Sequence, residues 1–492
     1  PWLLRPGADA LILEPRGGLN VLVALAGGAR EVTAVEPYGA LVDVIAAEGV
    51  SIYDDPRVKV VLSDPRTYIE RAGRHFDVIE LALKAPYRPV TSGAYSLAEE
   101  YSLTVEAFLG YLDRLEPHGV LTASRWVQTP PSEEIRLLGI AVAALRSQGV
   151  EPAAAVVMLR SYSNAVLLVQ PDGWSTADLA TIREFAGVQR FDIVTMPDVD
   201  PQETNRFSII VDERYSTLAD ELLTVGDPES LYARYEFDIS PPVDDRPFFG
   251  HYFRWNQVGQ VLDSLGRTWQ PFGGAGYLVL VAFLALATLS AVVLIVAPLA
   301  LRSRGRSATL VAPAGLQRWT VAYFGLLGLG FLLVEIPLVQ LYILLLGNPT
   351  TAFAVVLFAV LLASGAGSMT SPRVPWRAGA VLLAVTAVVY PFLIRALTVV
   401  LLPAPLTVRV VVGALAIAPL GFLMGIMFPH GIAHLKRTAP QLVPWAWGIN
   451  GTVSVISAVA AALIALAFGF SVVLLVGAAS YGLAAVLAFR AR

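Results

Sequence analysis

The 492-residue chain contains no cysteine. This removes disulfides, thiolate metal sites and thiol catalysis, and leaves the redox compartment open. Acidic side chains are almost missing from the second half. Between Gly273 and Arg492 a single carboxylate, Glu335, stands against twelve arginines and lysines. Charged residues make up only 15% of the chain, while 55% is hydrophobic, a low charge content for a soluble protein. The other 38 acids and 23 bases precede residue 273, so the first part carries about −15 and the second about +11. The charged part is acidic and its bases form no patch, so no nucleic-acid partner is expected. No initiating methionine or signal peptide precedes the first apparent strand. The amino terminus is therefore expected to be processed or preceded by further chain.

What fills the second half is apolar sequence in lengths that cross a bilayer, about 20 residues each. Spans are expected near 275–301, 319–346, 350–371, 378–402, 406–428, 445–467 and 470–489. Seven such runs in series would leave a soluble protein no polar surface, so the lipid bilayer is the expected surrounding. Arg302, Arg304, Arg306, Arg318, Arg373, Arg377, Lys436, Arg437, Arg490 and Arg492 all fall in alternate connections or at the end. The opposite connections are nearly uncharged, with only Arg395 and Arg409 near them. The positive-inside rule then puts the C-terminus in the cytoplasm. An odd number of spans puts the N-terminal domain on the other side, and a miscount by one reverses this.

Three intramembrane polar residues stand out. Glu335, in Phe331-Leu-Leu-Val-Glu-Ile-Pro-Leu-Val-Gln340, is costly to leave in lipid. It is either functional or a structural partner for Arg395, Asn450 or a backbone group freed by Pro337. Gly421-Phe-Leu-Met-Gly425 and Gly448-Ile-Asn-Gly451 have the spacing of close helix-packing surfaces. One acid with no ligand cluster, and no internal repeat, make a poor ion pathway.

Residues 1–170 alternate short apolar strands with amphipathic helices. Strands are expected at Ala10–Leu13, Glu31–Val35, Val58–Leu62, Phe76–Leu81, Gly119–Ser124, Ala155–Arg160 and Asn164–Val169. Helices are expected at Gly18–Ala26, Pro37–Ala47, Pro65–Ala72, Thr104–Leu115 and Glu133–Gln148. This alternation predicts a mainly parallel, doubly wound α/β sheet of Rossmann-like class, followed by an all-α transmembrane bundle. Ligands of such sheets bind outside the carboxyl ends of the strands. There the sequence places Gly17, Gly18 and Asn20 after the first strand, Glu36 after the second and Asp64 after the third. The glycines allow close backbone approach, and Glu36 is placed to accept from a ribose diol. Asp64 is placed beside a base. Turn formation and helix capping are the competing roles for all of them.

The chain resembles the spermidine and spermine synthases, with their S-adenosylmethionine-type fold. The matching stretches are Leu11-Ile-Leu-Glu-Pro-Arg-Gly-Gly-Leu-Asn20, Val32-Thr-Ala-Val-Glu-Pro37, Asp54-Asp-Pro-Arg-Val-Lys-Val-Val-Leu-Ser-Asp64, His75-Phe-Asp-Val-Ile79 and Leu115-Glu-Pro-His-Gly-Val-Leu121. It also resembles bacterial membrane proteins that join such a domain to a multi-span region. Pro242-Val-Asp-Asp-Arg-Pro-Phe-Phe249, Phe331–Pro337 and Trp445-Ala-Trp-Gly-Ile-Asn-Gly451 carry that likeness. The resemblance implies a bacterial inner membrane, and S-adenosylmethionine or its decarboxylated form as cofactor if the domain is active.

The departures are chemical. The family's first loop is glycine-rich, whereas here Glu14, Pro15 and Arg16 precede Gly17. Their bulk and the Glu14 charge would oppose the ligand. The aminopropyl-transferring members carry two aspartates after the fourth strand, one of them the base. The corresponding stretch here is Ala82-Leu-Lys-Ala85-Pro86, with Lys84 of the wrong sign, and a missing base cannot take a proton. Glu80, the acid nearby, is expected on the opposite face from Ala85. Residues 171–272 are expected to add a helix at Ser175–Gly187 and a strand at Phe191–Val194. They end in a rigid aromatic linker, Pro241–Trp255, whose Asp244, Asp245 and His251 are either turn residues or a metal site, and whose aromatics form an interfacial belt. The leading expectation is a degenerate relative acting as scaffold, sensor or subunit beside other membrane proteins. A tethered transferase comes next, and a transporter third.

Overall fold

The computed structural model describes residues 1–47, 52–83, 97–210, 213–259, 276–304 and 312–490. It divides into two compact units, Pro1–Gly276 and Tyr277–Arg492.

The first unit is built on β1 (Asp9–Leu13), α1 (Leu19–Ala26), β2 (Glu31–Glu36), α2 (Gly39–Ala47), β3 (Val58–Leu62), α3 (Pro65–Arg71), β4 (Phe76–Leu81), α4 (Val105–Leu112) and β5 (Leu115–Trp126). It continues through α5 (Glu133–Ser147), α6 (Pro152–Ala155), β6 (Val156–Arg160), β7 (Asn164–Val169), α7 (Thr176–Gln189), β8 (Asp192–Thr195), α8 (Tyr215–Thr224) and α9 (Pro228–Arg234). Among the described residues the strands form one eight-stranded sheet in the order β3-β2-β1-β4-β5-β7-β6-β8. The first five are parallel, and β7 runs antiparallel between β5 and β6. This is the Rossmann-like α/β class expected from the strand–helix alternation. The strand β8 joins the same sheet antiparallel to β6.

Both faces are covered, which explains why β1 reads as an almost unbroken apolar run. Leu11 and Leu13 enter the core beneath α4 and α5, while Ala10 and Ile12 pack with Val21, Ala24 and Leu25 of α1. The chain order reverses where β1 lies between β2 and β4, and such reversals open a crevice at the carboxyl ends. The boundaries shift locally. The fifth strand starts four residues before Gly119, and the fourth helix ends at Leu112 with Thr104 as its N-cap.

The Pro241–Trp255 segment is not a free linker. Phe248, Phe249 and Tyr252 are buried in the first unit, and of the segment's aromatic residues only Trp255 is exposed, at 58%. Arg136 of α5 holds the segment. Its guanidinium is 2% exposed and donates to the carbonyls of Phe248, Phe249, Asp238 and His251. The expected interfacial belt is thus, for these rings, part of a soluble core.

Among the described residues, seven helical segments are long and apolar enough to cross a membrane. The first is α10 (Gly276–Ala291), which passes through a π-helical turn, Val292–Val296, into α11 (Ala297–Arg304). The others are α12 (Ala314–Leu346), α13 (Pro349–Thr370), α14 (Trp376–Leu401), α15 (Leu406–Thr438), α16 (Val443–Phe468) and α17 (Phe470–Arg490). The fifth span overshoots its expected end at residue 428 and runs to Thr438, so Lys436 and Arg437 lie in its last turn rather than in a loop. There they face the negative end of the helix dipole. Arg306 and Arg492 lie outside the described residues.

Helix α12 packs against α13, α16 and α17. Along the α12–α16 seam, Asn450 Nδ2 donates to the Phe324 carbonyl at 3.2 Å, Ser454 to Gly328 at 3.2 Å and Ser457 to Leu329 at 2.8 Å. These donors recur at helical spacing on one face. The Gly421/Gly425 pair packs α15 on α13, where a Cβ at Gly425 would overlap the Ser364 carbonyl. Gly451 behaves differently from its expectation. A Cβ there would meet open space, and the close approach is made by the Asn450 backbone against Gly328 instead.

Candidate functional site

The register puts Leu13, Val35 and Leu81 side by side, so the loops after β1, β2 and β4 share one edge. After β1 the chain turns through Glu14 and Arg16, both left-handed with φ of 53° and 49°. Left-handed backbone costs a residue with a Cβ about 1–2 kcal/mol. The loop therefore keeps a glycine-like path without the early glycines. Gly18, at φ 80°, caps α1 and lies against Ile52. Tyr53 covers the turn, and its hydroxyl donates to the Arg16 carbonyl at 2.6 Å.

Glu36 is fully buried beneath this turn. Its Oε2 accepts from the Arg16 N–H at 3.1 Å and its Oε1 from the Tyr38 N–H at 3.2 Å. Burial pushes its carboxyl above the ordinary range, and the two amides partly oppose that. The expected ribose acceptor thus holds one backbone amide of its own chain on each oxygen. Asp64 accepts from the Arg66 N–H at 3.2 Å as the N-cap of α3, the capping role that competed with a base contact. Asn20 reaches across to β4 and donates to Glu80 Oε1 at 2.6 Å. Burial raises the Glu80 carboxyl, with the Asn20 bond opposing, and its Oε2 has no hydrogen-bond partner. Glu80 lies on the α1 face, beside Ile12 of β1. Lys84, Ala85 and Pro86 lie outside the described residues.

Several residues at this edge were not singled out from sequence. Arg66 pairs with Asp244 at 3.0 Å, and Thr104 donates to the other Asp244 oxygen at 2.7 Å. The Asp244 N–H donates to Glu106 at 2.9 Å. Asp244 thereby ties α3 and α4 together, and among the described residues no group of three His, Asp or Glu side chains is arranged to hold a metal ion. Burial lowers the His251 imidazole to about 4. Arg125, buried at the end of β5, stands over the Phe249 ring at 5.5 Å. Glu134 is buried near it in sequence and is pushed up to about 8 by desolvation. The signal for Asp244 was present in Pro242–Phe249. Its partners, more than 130 residues away, were not.

No protein-family model matches the chain, and no curated protein sequence matches it. Among solved structures it is similar to a probable spermidine synthase from Corynebacterium glutamicum, at 19% identity and TM-score 0.28, over 36% of this chain and 63% of that one. It is similar to the spermidine synthase of Thermotoga maritima at 17% identity and TM-score 0.26, over 47% and 70% of the two chains. Human methyltransferase-like protein 13, solved in complex with SAH, matches at 19% identity and TM-score 0.27, over 37% and 83%. The fold class stands on the strand order itself.

In the membrane-type unit, Glu335 forms no hydrogen bond or ion pair with any described residue, so it pairs with neither Arg395 nor Asn450. Arg395 is exposed on α14. The Asn450 amide is spent on the α12 backbone.

Proposed function

We propose that the chain is a membrane-integrated protein whose Rossmann-like unit has a degenerate nucleoside site and serves as a scaffold, sensor or subunit of a membrane assembly. Glu36 carries this reading. A carboxylate that accepts a ribose diol must present its remaining lone pairs to the crevice, and this one is fully buried with one backbone amide on each oxygen. The left-handed Glu14 and Arg16 and the capping use of Asp64 support it. Calorimetry of the full-length protein with S-adenosylmethionine, its decarboxylated form and methylthioadenosine is expected to give no binding heat. A micromolar dissociation constant for any of them would overturn the proposal.

A second reading, a tethered aminopropyl- or methyltransferase using such a cofactor, draws on Glu80. A buried carboxyl with a raised pKa and one unpartnered oxygen has the properties of a general base. The calorimetry separates the two readings. Third, a transporter would have to rest on Glu335 and the bundle.

The proposal also places the C-terminus in the cytoplasm and the Rossmann unit outside it, in a bacterial inner membrane, with other membrane subunits as partners. The ten bases in alternate connections, in the helix turns beside them or at the end of the sequence support the orientation. The absence of cysteine gives labelling a clean background. Tyr162 is 75% exposed in the β6–β7 turn, and Thr438 is exposed at the end of α15. In intact cells, an impermeant maleimide is expected to label Tyr162→Cys and spare Thr438→Cys. The reverse pattern would invert the topology.

A further inference from the structure

The bundle carries a pocket of about 530 Å³ among α12, α13, α15, α16 and α17, open on the α13 side where Leu361, Gly365 and Ser368 are exposed. That volume lies within the roughly 300–1,000 Å³ range of small-molecule sites. Its walls are mainly apolar, with the rings of Phe331, Phe428 and Tyr481, and no charged side chain lines it.

Tyr481 marks it as more than a packing gap. The other four tyrosines of this unit each donate to a backbone carbonyl: Tyr277 to Leu463, Tyr323 to Met427, Tyr342 to Gly413 and Tyr390 to Ala416. Tyr481 is 2% exposed, lines the cavity, and its hydroxyl makes no hydrogen bond with any described residue. A buried phenol ordinarily finds a partner. Acceptors also face the same space. Asn450 spends its Nδ2 on Phe324, which leaves its Oδ1 without a donor among the described residues. Pro429 offers no N–H to the Gly425 carbonyl one turn earlier, and both residues line the cavity.

We propose that this cavity binds a neutral, lipid-phase molecule. Its apolar body lies between the Phe331 and Phe428 rings, and a carbonyl or hydroxyl oxygen accepts from the Tyr481 hydroxyl. Neutrality follows from the lining, because an ion here would lose its hydration with no counter-charge on the pocket wall to replace it. The site is independent of what the Rossmann unit binds. Two lipid sources share this chemistry, a diacylglycerol and a prenyl-type quinone.

The test is saturable binding to the full-length protein in phosphatidylcholine nanodiscs. The probes are dioctanoylglycerol, a decyl-benzoquinone and, as the anionic control, decanoate. Gly365 lines the cavity, and a Cβ there meets nothing within 4 Å. Gly365→Leu therefore starts from a Cβ in open space and is expected to abolish saturable binding with a melting temperature near the wild-type value. Tyr481→Phe is expected to weaken binding about fivefold to tenfold, the loss of one hydrogen bond, and it decides the matter if Gly365→Leu does not fold. Binding of either neutral probe with these losses supports the site and names its source. Overturning results are no saturable binding of either neutral probe, equal binding of decanoate, or wild-type affinity in the Tyr481→Phe protein.

Discussion

Arg136→Leu is expected to unfold the Rossmann-like unit at ambient temperature or bring it close to unfolding. The guanidinium is 2% exposed and donates to four backbone carbonyls contributed by residues 238–251. It also stacks over Tyr252, 4.2 Å from the ring centroid. Leucine would fill much of the volume and supply no donor. The Phe248 carbonyl keeps the His251 N–H at 3.1 Å, but each of the other three left without a partner costs about 1–3 kcal/mol, and together they approach the roughly 5–15 kcal/mol that stabilises a typical domain. Residues 238–251 would come away from α5 and take Phe249 out of the core. Urea unfolding followed by tryptophan fluorescence, with limited proteolysis at the same residues, would register this. A loss of less than about 1 kcal/mol would mean the carbonyls find other donors.

The α13–α15 crossing is the second place where a small change has a large effect. A Cβ at Gly425 overlaps the Ser364 carbonyl, and one at Gly367 overlaps the Phe422 carbonyl. In both cases the obstacle is backbone, which cannot rotate aside as a side chain can. Gly425→Ala must separate two helices that otherwise gain their association from close van der Waals contact. Overpacking of this kind costs about 1–3 kcal/mol or more, and the melting temperature in detergent is expected to fall by about 5 °C or more. Gly451→Ala, where the new methyl meets open space, is the matched control and is expected to melt as the wild type does. Equal behaviour of the two variants would show that the glycines do not set the helix separation.

Local pattern carried most of the architecture. Asp9-Ala-Leu-Ile-Leu13 could be read as a strand covered on both faces, and the apolar runs could be read as spans, because both signals reside in consecutive residues. The end of α15 could not. Hydropathy stops at residue 428, but helix continues to Thr438 because backbone bonding does not require an apolar side chain. Glu36 shows a deeper limit. An acid at a strand end is visible in sequence, whereas its occupation by the Arg16 amide depends on a left-handed φ at a residue that rarely adopts one. Pro241–Trp255 looked like a linker because proline and aromatics are common in linkers. Its role is set by Arg136 and Arg66, each more than 100 positions away. Glu335 and Arg395 were offered as partners on charge alone, and charge does not say on which side of its own helix a residue stands.

The clasp around Arg136 also has a mechanical meaning. Residues 238–251, with Tyr252 and Arg254 after them, bind into the first unit ahead of the first membrane-type helix, Arg254 donating to the Tyr232 and Ala233 carbonyls of α9. Tension arriving along the polypeptide from that helix meets Arg254 on α9, then the carbonyls held on Arg136, and then Asp244, which is bolted to Arg66 beside the Asp64 cap. The clasp pulls on several hydrogen bonds at once rather than peeling them one by one. A load below its yield point would stop there, and one above it would be felt at the crevice edge.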